Sequence, residues 1–196
     1  MDRIEKARNY ILKRMHDELN PVLYYHNVPH VLDVLSAAES IGKAENISNA
    51  DMELLKVAAL YHDSGFVVNA DNHEKLGCDI AVSALPEFGF TEQEVEVICG
   101  LILATRVPQS PSGLLEKIIC DADLDYLGRD DFFSIGNKIF REFMARNIVA
   151  NEQEWNELQV KFLSVHNYFT NTSIRLRATK KEEHLKQVRQ ILLNSK

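Results

Sequence analysis

Apolar residues recur at intervals of three and four along almost the whole of this chain, and no stretch sustains polar–apolar alternation with β-branched enrichment. A chain patterned in that way can bury its apolar stripes only by packing helix against helix. An all-α fold in a single domain over residues 1–196 is therefore expected. The spacing predicts helices over about residues 3–19, 28–45, 49–63, 72–85, 91–105, 112–126, 130–148, 151–168 and 172–193. The run Phe66-Val67-Val68 is the only strand-like piece and is assigned to a loop.

Several helix starts are written locally. Asn49 before Ala-Asp-Met-Glu reads as a cap with acids in the first turn, near the positive end of the helix. Thr91 followed three residues later by Glu94 reads as a capping box. Asn27-Val28-Pro29 suits a start, since a first-turn proline forfeits no intrahelical hydrogen bond.

With 196 residues the chain can build one sizeable helical core. The formal net charge of −7 disfavours duplex nucleic acid as a partner, because such affinity rests on Lys and Arg neutralising phosphates. No apolar tract reaches the roughly 18 residues a membrane span requires. The first twenty residues are charged and amphipathic, unlike a secretory signal, and read as the first helix. Cys78, Cys99 and Cys120 are isolated and form no CxxC pair, so they read as free thiols in a reducing, cytoplasmic setting.

Chemistry is suggested by polar residues embedded in apolar helices. His30 lies one turn into a helix, His62 and Asp63 close the run from Leu54 to Tyr61, and Asp121 and Asp123 follow Ile118-Ile119-Cys120. Burying such groups unpaired costs several kcal/mol, and one metal ion can offset that cost for several of them at once. Imidazole with carboxylate suits a divalent ion such as Mn, Mg, Ni, Fe or Zn. Taken singly, each piece has a plainer reading: a satisfied histidine at His30, a helix end at His62-Asp63, a turn at Asp-Ala-Asp.

In order, the pieces form the pattern H…HD…D. The chain here resembles the HD superfamily of metal-dependent phosphohydrolases, through Tyr25-His26-Asn27-Val28-Pro29-His30, Ala59-Leu60-Tyr61-His62-Asp63-Ser64-Gly65 and Cys120 to Gly128. The resemblance spans roughly residues 20–130, leaving about 130–196 as a C-terminal helical extension. It implies an all-helical HD-domain fold and one divalent ion held by His30, His62, Asp63 and Asp123. Asp123 is preferred to Asp121 because the family's last motif commonly reads Ala-Asp-x-x-Asp, matching Ala122 to Asp125. The Tyr-His-Asn run resembles that of cyclic-nucleotide phosphodiesterases, where the first histidine protonates the leaving oxygen. His73 resembles a later histidine that serves in some branches as an acid or second-metal ligand. Bimetallic branches carry a further histidine where this chain has Ala104-Thr105-Arg106, which favours a mononuclear site.

The expected activity is hydrolysis of a phosphate ester of a nucleotide or related small molecule, with a phosphodiester slightly favoured. Asp63 is the expected ligand and local base, His26 or His73 the proton donor, and Lys75, Arg106 and Arg129 the cations for phosphate. A small phosphorylated substrate is the expected partner, and a homo-oligomer is compatible with the sequence. A catalytically silent ligand-sensing module is the alternative, and a di-iron oxygenase a third reading that Ala104-Thr105 weakens.

Residues beyond 130 add a second apolar face, Phe132, Phe133, Ile139, Phe140, Phe143 and Met144, continued by Trp155, Leu158, Phe162 and Tyr168. The basic segment with Arg175, Arg177, Lys180, Lys181, Lys186 and Arg189 reads as a solvated face, with a lid over an anionic substrate as the functional alternative.

Overall fold

The computed structural model describes residues 2–194. It is all-α, with nine α-helices among the described residues: α1 Arg3–Glu18, α2 Val28–Ala44, α3 Asn49–Tyr61, α4 His73–Ala84, α5 Glu92–Ala104, α6 Leu114–Asp123, α7 Phe132–Ala145, α8 Glu152–Val165 and α9 Asn171–Asn194. Three short 3-10 turns, Ser64–Val67, Leu85–Phe88 and Asp125–Gly128, join them.

The local signals operate as read at two starts. Asn27 caps α2, its side chain accepting from the N–H of His30, with proline in the first turn. Thr91 and Glu94 form the reciprocal capping box of α5. The third differs: Ser48, not Asn49, caps α3, accepting from the N–H of Asp51, and Asn49 is the first helical residue. A hydroxyl satisfies the same orphan donor as an Asn side chain, so the cap moved one residue upstream. The Phe66 segment is a 3-10 turn rather than an irregular loop. The sixth helix ends at Asp123, and the chain continues through a separate turn instead of running on to residue 126.

The chain divides into two compact units. The first comprises residues 2–20 and 26–123 of the described chain. Its core draws Ala7, Ile11 and Met15 from α1, Val31, Val34, Ala38 and Ile41 from α2, and the almost wholly buried stretch Val57–Tyr61 of α3. Tyr61 donates its hydroxyl to the carbonyl of Ala7 at 3.2 Å, so α3 keeps its polar tip satisfied inside that core. The packed pair α4 and α5 and the short α6 complete it.

Two glycines set how closely α4 approaches the end of α3. A Cβ on Gly65 would lie 1.9 Å from the carbonyl oxygen of His73. A Cβ on Gly77 would lie 3.0 Å from that of Tyr61. The first is a distance no side-chain carbon tolerates, so the N-terminus of α4 can pass over the turn only because residue 65 is glycine.

The second unit comprises residues 21–25 and 124–194 of the described chain. Phe132, Ile135, Ile139, Trp155, Leu163, Tyr168, Leu185 and Val188 are buried in it. Phe140, Phe143, Leu158 and Phe162 are partly buried, whereas Phe133 and Met144 are exposed. The apolar face of α7 is therefore narrower than its sequence suggests, because those two residues lie off the packed stripe. Fully buried Glu142 accepts the N–H of Tyr25 at 2.9 Å and so ties the 21–25 segment into this unit. The basic segment is not wholly a solvated face. Lys181 is buried and donates to the carbonyls of Leu163, at 3.2 Å, in the last turn of α8, and of His166, at 2.5 Å, its C-cap residue. A cation there meets the negative end of a helix and its unsatisfied carbonyls.

Candidate metal centre

Four elements of the first unit deliver the H…HD…D residues to one point. His30 sits in the first turn of α2, His62 ends α3, Asp63 begins the turn that follows, and Asp123 is the last residue of α6. His30, His62 and Asp63 are buried and Asp123 is nearly so.

The geometry is close. The Nε2 atoms of His30 and His62 are 3.3 Å apart. Oδ1 of Asp123 lies 3.3 Å from His30 Nε2 and 3.5 Å from His62 Nε2. One ligand atom from each of these three residues falls within 4.8 Å of the others, a spacing compatible with a shared cation. Oδ2 of Asp63 is 3.3 Å from His30 Nε2 and 3.4 Å from His62 Nε2, yet it is buried without a hydrogen-bond partner. Asp121 is buried as well, but it is Asp123 that faces the two histidines.

These residues fit a divalent metal. Nδ1 of His62 lies 2.8 Å from the carbonyl oxygen of Ala59, so it carries the proton and donates it there. In the neutral ring that leaves Nε2 as a lone pair directed at the cluster, the arrangement by which proteins orient a metal-binding imidazole. Two such nitrogens and two carboxylates converging in a dry interior need a shared cation or a shared proton. In the metal-free site protons take that role. Burial lowers the pKa of His30, but the adjacent carboxylates of Asp123 and Asp63 outweigh it and push it up to about 10. His62 is also raised, burial being outweighed by the charges of Asp63 and Asp123. Burial opposes ionisation of Asp63 and Asp123 too, yet the imidazoles hold both well below the usual carboxylate range.

His26 and His73 flank one ring that the sequence reading left without a role. Phe66 stacks on His26 at 4.6 Å between centroids and on His73 at 4.1 Å. His26 also meets His30 edge-on at 5.9 Å. His73 anchors Nδ1 on the carbonyl of Ala70 at 3.1 Å and turns Nε2 toward Asp63 Oδ1, at 3.5 Å, and Glu74 Oε1, at 3.7 Å. Glu74 is buried and was not singled out from sequence. Its signal, an acid beside a candidate histidine at a helix start, is indistinguishable from ordinary first-turn charge.

The three candidate phosphate cations are all engaged. Lys75 is exposed and pairs with Asp79 one turn on. Arg106 pairs with Glu74 at 3.4 Å. Arg129, in the second unit, forks onto Asp131 at 2.8 and 3.0 Å and lies 3.6 Å from Asp125. It borders a groove of about 500 Å³ with Asp131, Leu176, Arg177 and Lys180. Arg177 is itself forked onto Asp125 at 2.7 and 3.1 Å, and Lys180 lies 2.9 Å from Asp130.

No helix among the described residues is long and apolar enough to cross a membrane. No curated protein matches the chain. Two solved structures resemble it in fold. One is a predicted HD superfamily hydrolase from an uncultured Thermotogales bacterium, 19% identical, with a TM-score of 0.65, covering 100% of this chain and 94% of that one. The other is Bacillus subtilis YpgQ in complex with ADP, also 19% identical, with a TM-score of 0.67, covering 98% of this chain and 94% of that one. A family model described as the HD domain matches residues 28–125, which include all four residues of the cluster and make up half of the sequence. The chain belongs to the HD domain family.

Proposed function

We propose that this protein is a metal-dependent phosphohydrolase acting on a phosphate ester of a nucleotide or related small molecule. The observation that carries the reading is the convergence of two imidazole Nε2 atoms with Asp63 and Asp123 at 3.3–3.5 Å in a buried pocket of charge. His30, His62, Asp63 and Asp123 would hold one divalent ion, Mn, Mg, Ni, Fe or Zn. Held there, such an ion would supply Lewis acidity, making water acidic enough to react at neutral pH and placing positive charge against the phosphoryl oxygens. The bound ADP of YpgQ supports a small phosphorylated ligand. The Tyr25-His26-Asn27 run tips the choice toward a phosphodiester. The whole chain is read as one HD-type domain, the motif core followed by a helical extension.

Asp63 serves as ligand and local base, since one of its oxygens faces the histidine pair and the other faces His73. His73 is the better-placed donor to the leaving oxygen. Its Nδ1 is spoken for by Ala70, so any proton it delivers leaves from Nε2, the atom turned toward Asp63. His26, held on the opposite side of Phe66, is the other candidate. Arg106 is assigned to phosphate, because its partner Glu74 also faces His73 and the pair can exchange for a substrate anion.

The test is metal analysis of protein purified without added metal, followed by a panel of nucleotides, cyclic nucleotides and model esters with each ion. Chelator-sensitive turnover is the expected result. Stoichiometric metal without turnover on any ester would point instead to a silent ligand-sensing module.

A further inference from the structure

Cys78 and Cys99 stand 21 residues apart in sequence and face each other between α4 and α5. The Sγ of Cys78 lies 3.5 Å from the carbonyl oxygen of Cys99, and the Sγ of Cys99 lies 3.7 Å from that of Cys78. Each thiol thus reaches the other residue's backbone, which brings the two side chains together at the seam between the helices. The pair is asymmetric in access: Cys78 is buried, whereas Cys99 is only partly so and open to a small oxidant. It is asymmetric in acidity as well. The neighbouring Cys78 side chain holds the Cys99 thiol below its ordinary range, while Cys78 itself is pushed up. Cys120 takes no part, being buried with its thiol donating to the carbonyl of Ala104 at 3.0 Å.

We propose that Cys78 and Cys99 are a redox pair that closes to an intramolecular disulfide, pinning α4 to α5. With a peroxide as oxidant, the Cys99 thiolate attacks one peroxide oxygen and the O–O bond breaks. Hydroxide leaves and is protonated to water, giving Cys99 sulfenic acid. The Cys78 sulfur then attacks the Cys99 sulfur. The S–S bond forms, the S–O bond breaks, and the departing hydroxide takes the Cys78 proton. Two thiols and one hydrogen peroxide become one disulfide and two waters; the sulfurs lose two electrons and the peroxide gains them. The bridge joins the helix that begins at His73 to the helix that leads into Arg106, so it ties together the two elements that Glu74 and Arg106 already connect by charge.

The experiment uses the full chain, reduced and then treated with stoichiometric hydrogen peroxide, and needs no substrate. Thiols are alkylated under denaturing conditions and counted. Three should be open in the reduced protein and one, Cys120, after oxidation. The intact mass should fall by about 2 Da, digestion should yield a linked peptide pair, and dithiothreitol should reverse both. In Cys78→Ser the mass should instead rise by about 16 or 32 Da at Cys99, because no resolving thiol remains. The oxidised wild type should melt at a higher temperature than the reduced form, a difference absent in Cys78→Ser. Retention of three open thiols, oxygen addition at Cys99 in the wild type, or intermolecular dimers in place of the internal bridge would overturn the proposal.

Discussion

The Nδ1 atom of His62 and the carbonyl oxygen of Ala59 are 2.8 Å apart, three residues from one another at the end of α3. A helix end leaves its last carbonyls without intrahelical partners, and here one of them orients a ring that would bind metal. Breaking off α3 at Tyr61 therefore does two things at once: it frees the acceptor, and it turns Nε2 of His62 toward His30 and Asp123.

On this geometry, His62→Ala and Asp63→Ala should each abolish stoichiometric metal binding and turnover. Far-ultraviolet circular dichroism should stay near that of the wild type, because the helical core does not depend on these side chains. Full metal occupancy in both variants, measured by plasma emission spectrometry, would remove the assignment.

The metal-free protein should lose stability as pH rises from 6.5 toward 10. His30 is raised in the folded state, so its contribution is complete below its ordinary value of 6.5 and is lost as pH climbs through about 10. Asp63 and Asp123 are lowered, so theirs is present above 3.8 and is lost only as pH falls well below that. For the one proton on His30 the slope is at most about 1.4 kcal/mol per pH unit. A bound ion replaces that proton, so the rise in melting temperature on adding Mn(II) should grow with pH between about 6.5 and 8.5. A pH-independent metal effect would contradict a proton shared in the cluster.

Phe66→Leu should reduce turnover about tenfold or more while keeping the metal, since a misplaced catalytic group is costly even when it remains present. Leucine keeps an apolar side chain but fills less of the site, so the loss of stability should stay below the roughly 3–5 kcal/mol of a Phe→Ala change and folding should survive. The aromatic wall that His26 and His73 share would be gone. Steady-state kinetics beside a melting curve separates the two effects.

Gly65→Ala should destabilise the protein by roughly 1–3 kcal/mol and depress activity, because the new methyl would need the space of the His73 carbonyl. Gly113→Ala, with nothing within 4 Å of the new carbon, is the matched control and should be nearly neutral. Urea unfolding of both variants provides the comparison.

His73→Ala should lower turnover on an alkyl ester by about 10²–10⁴-fold with metal retained, and much less on a nitrophenyl ester, whose leaving oxygen needs little protonation. His26→Ala should have the smaller effect. The reverse order would make His26 the donor. Loss of metal in His73→Ala would place a second ion at that residue.

By itself the sequence determined what depends on neighbours a few residues away. The Thr91–Glu94 box, the Asn27 cap and the period of the apolar residues are set by backbone geometry within one or two turns, which any chain of this sequence meets alike. The H…HD…D residues were legible because each interrupts an apolar helix, although their roles came from the family pattern. Tertiary structure decided the rest. Cys78 and Cys99 look isolated until α4 and α5 pack against each other. Phe66 looks like loop filler until α4 folds over Gly65 and brings His73 onto its ring. Lys181 looks like a solvated cation, yet it closes the end of α8, and Arg106 meets Glu74 from 32 residues away. Pairings of this kind follow from which helix faces meet in space, and that depends on the sum of many small burial energies across the core rather than on any short motif.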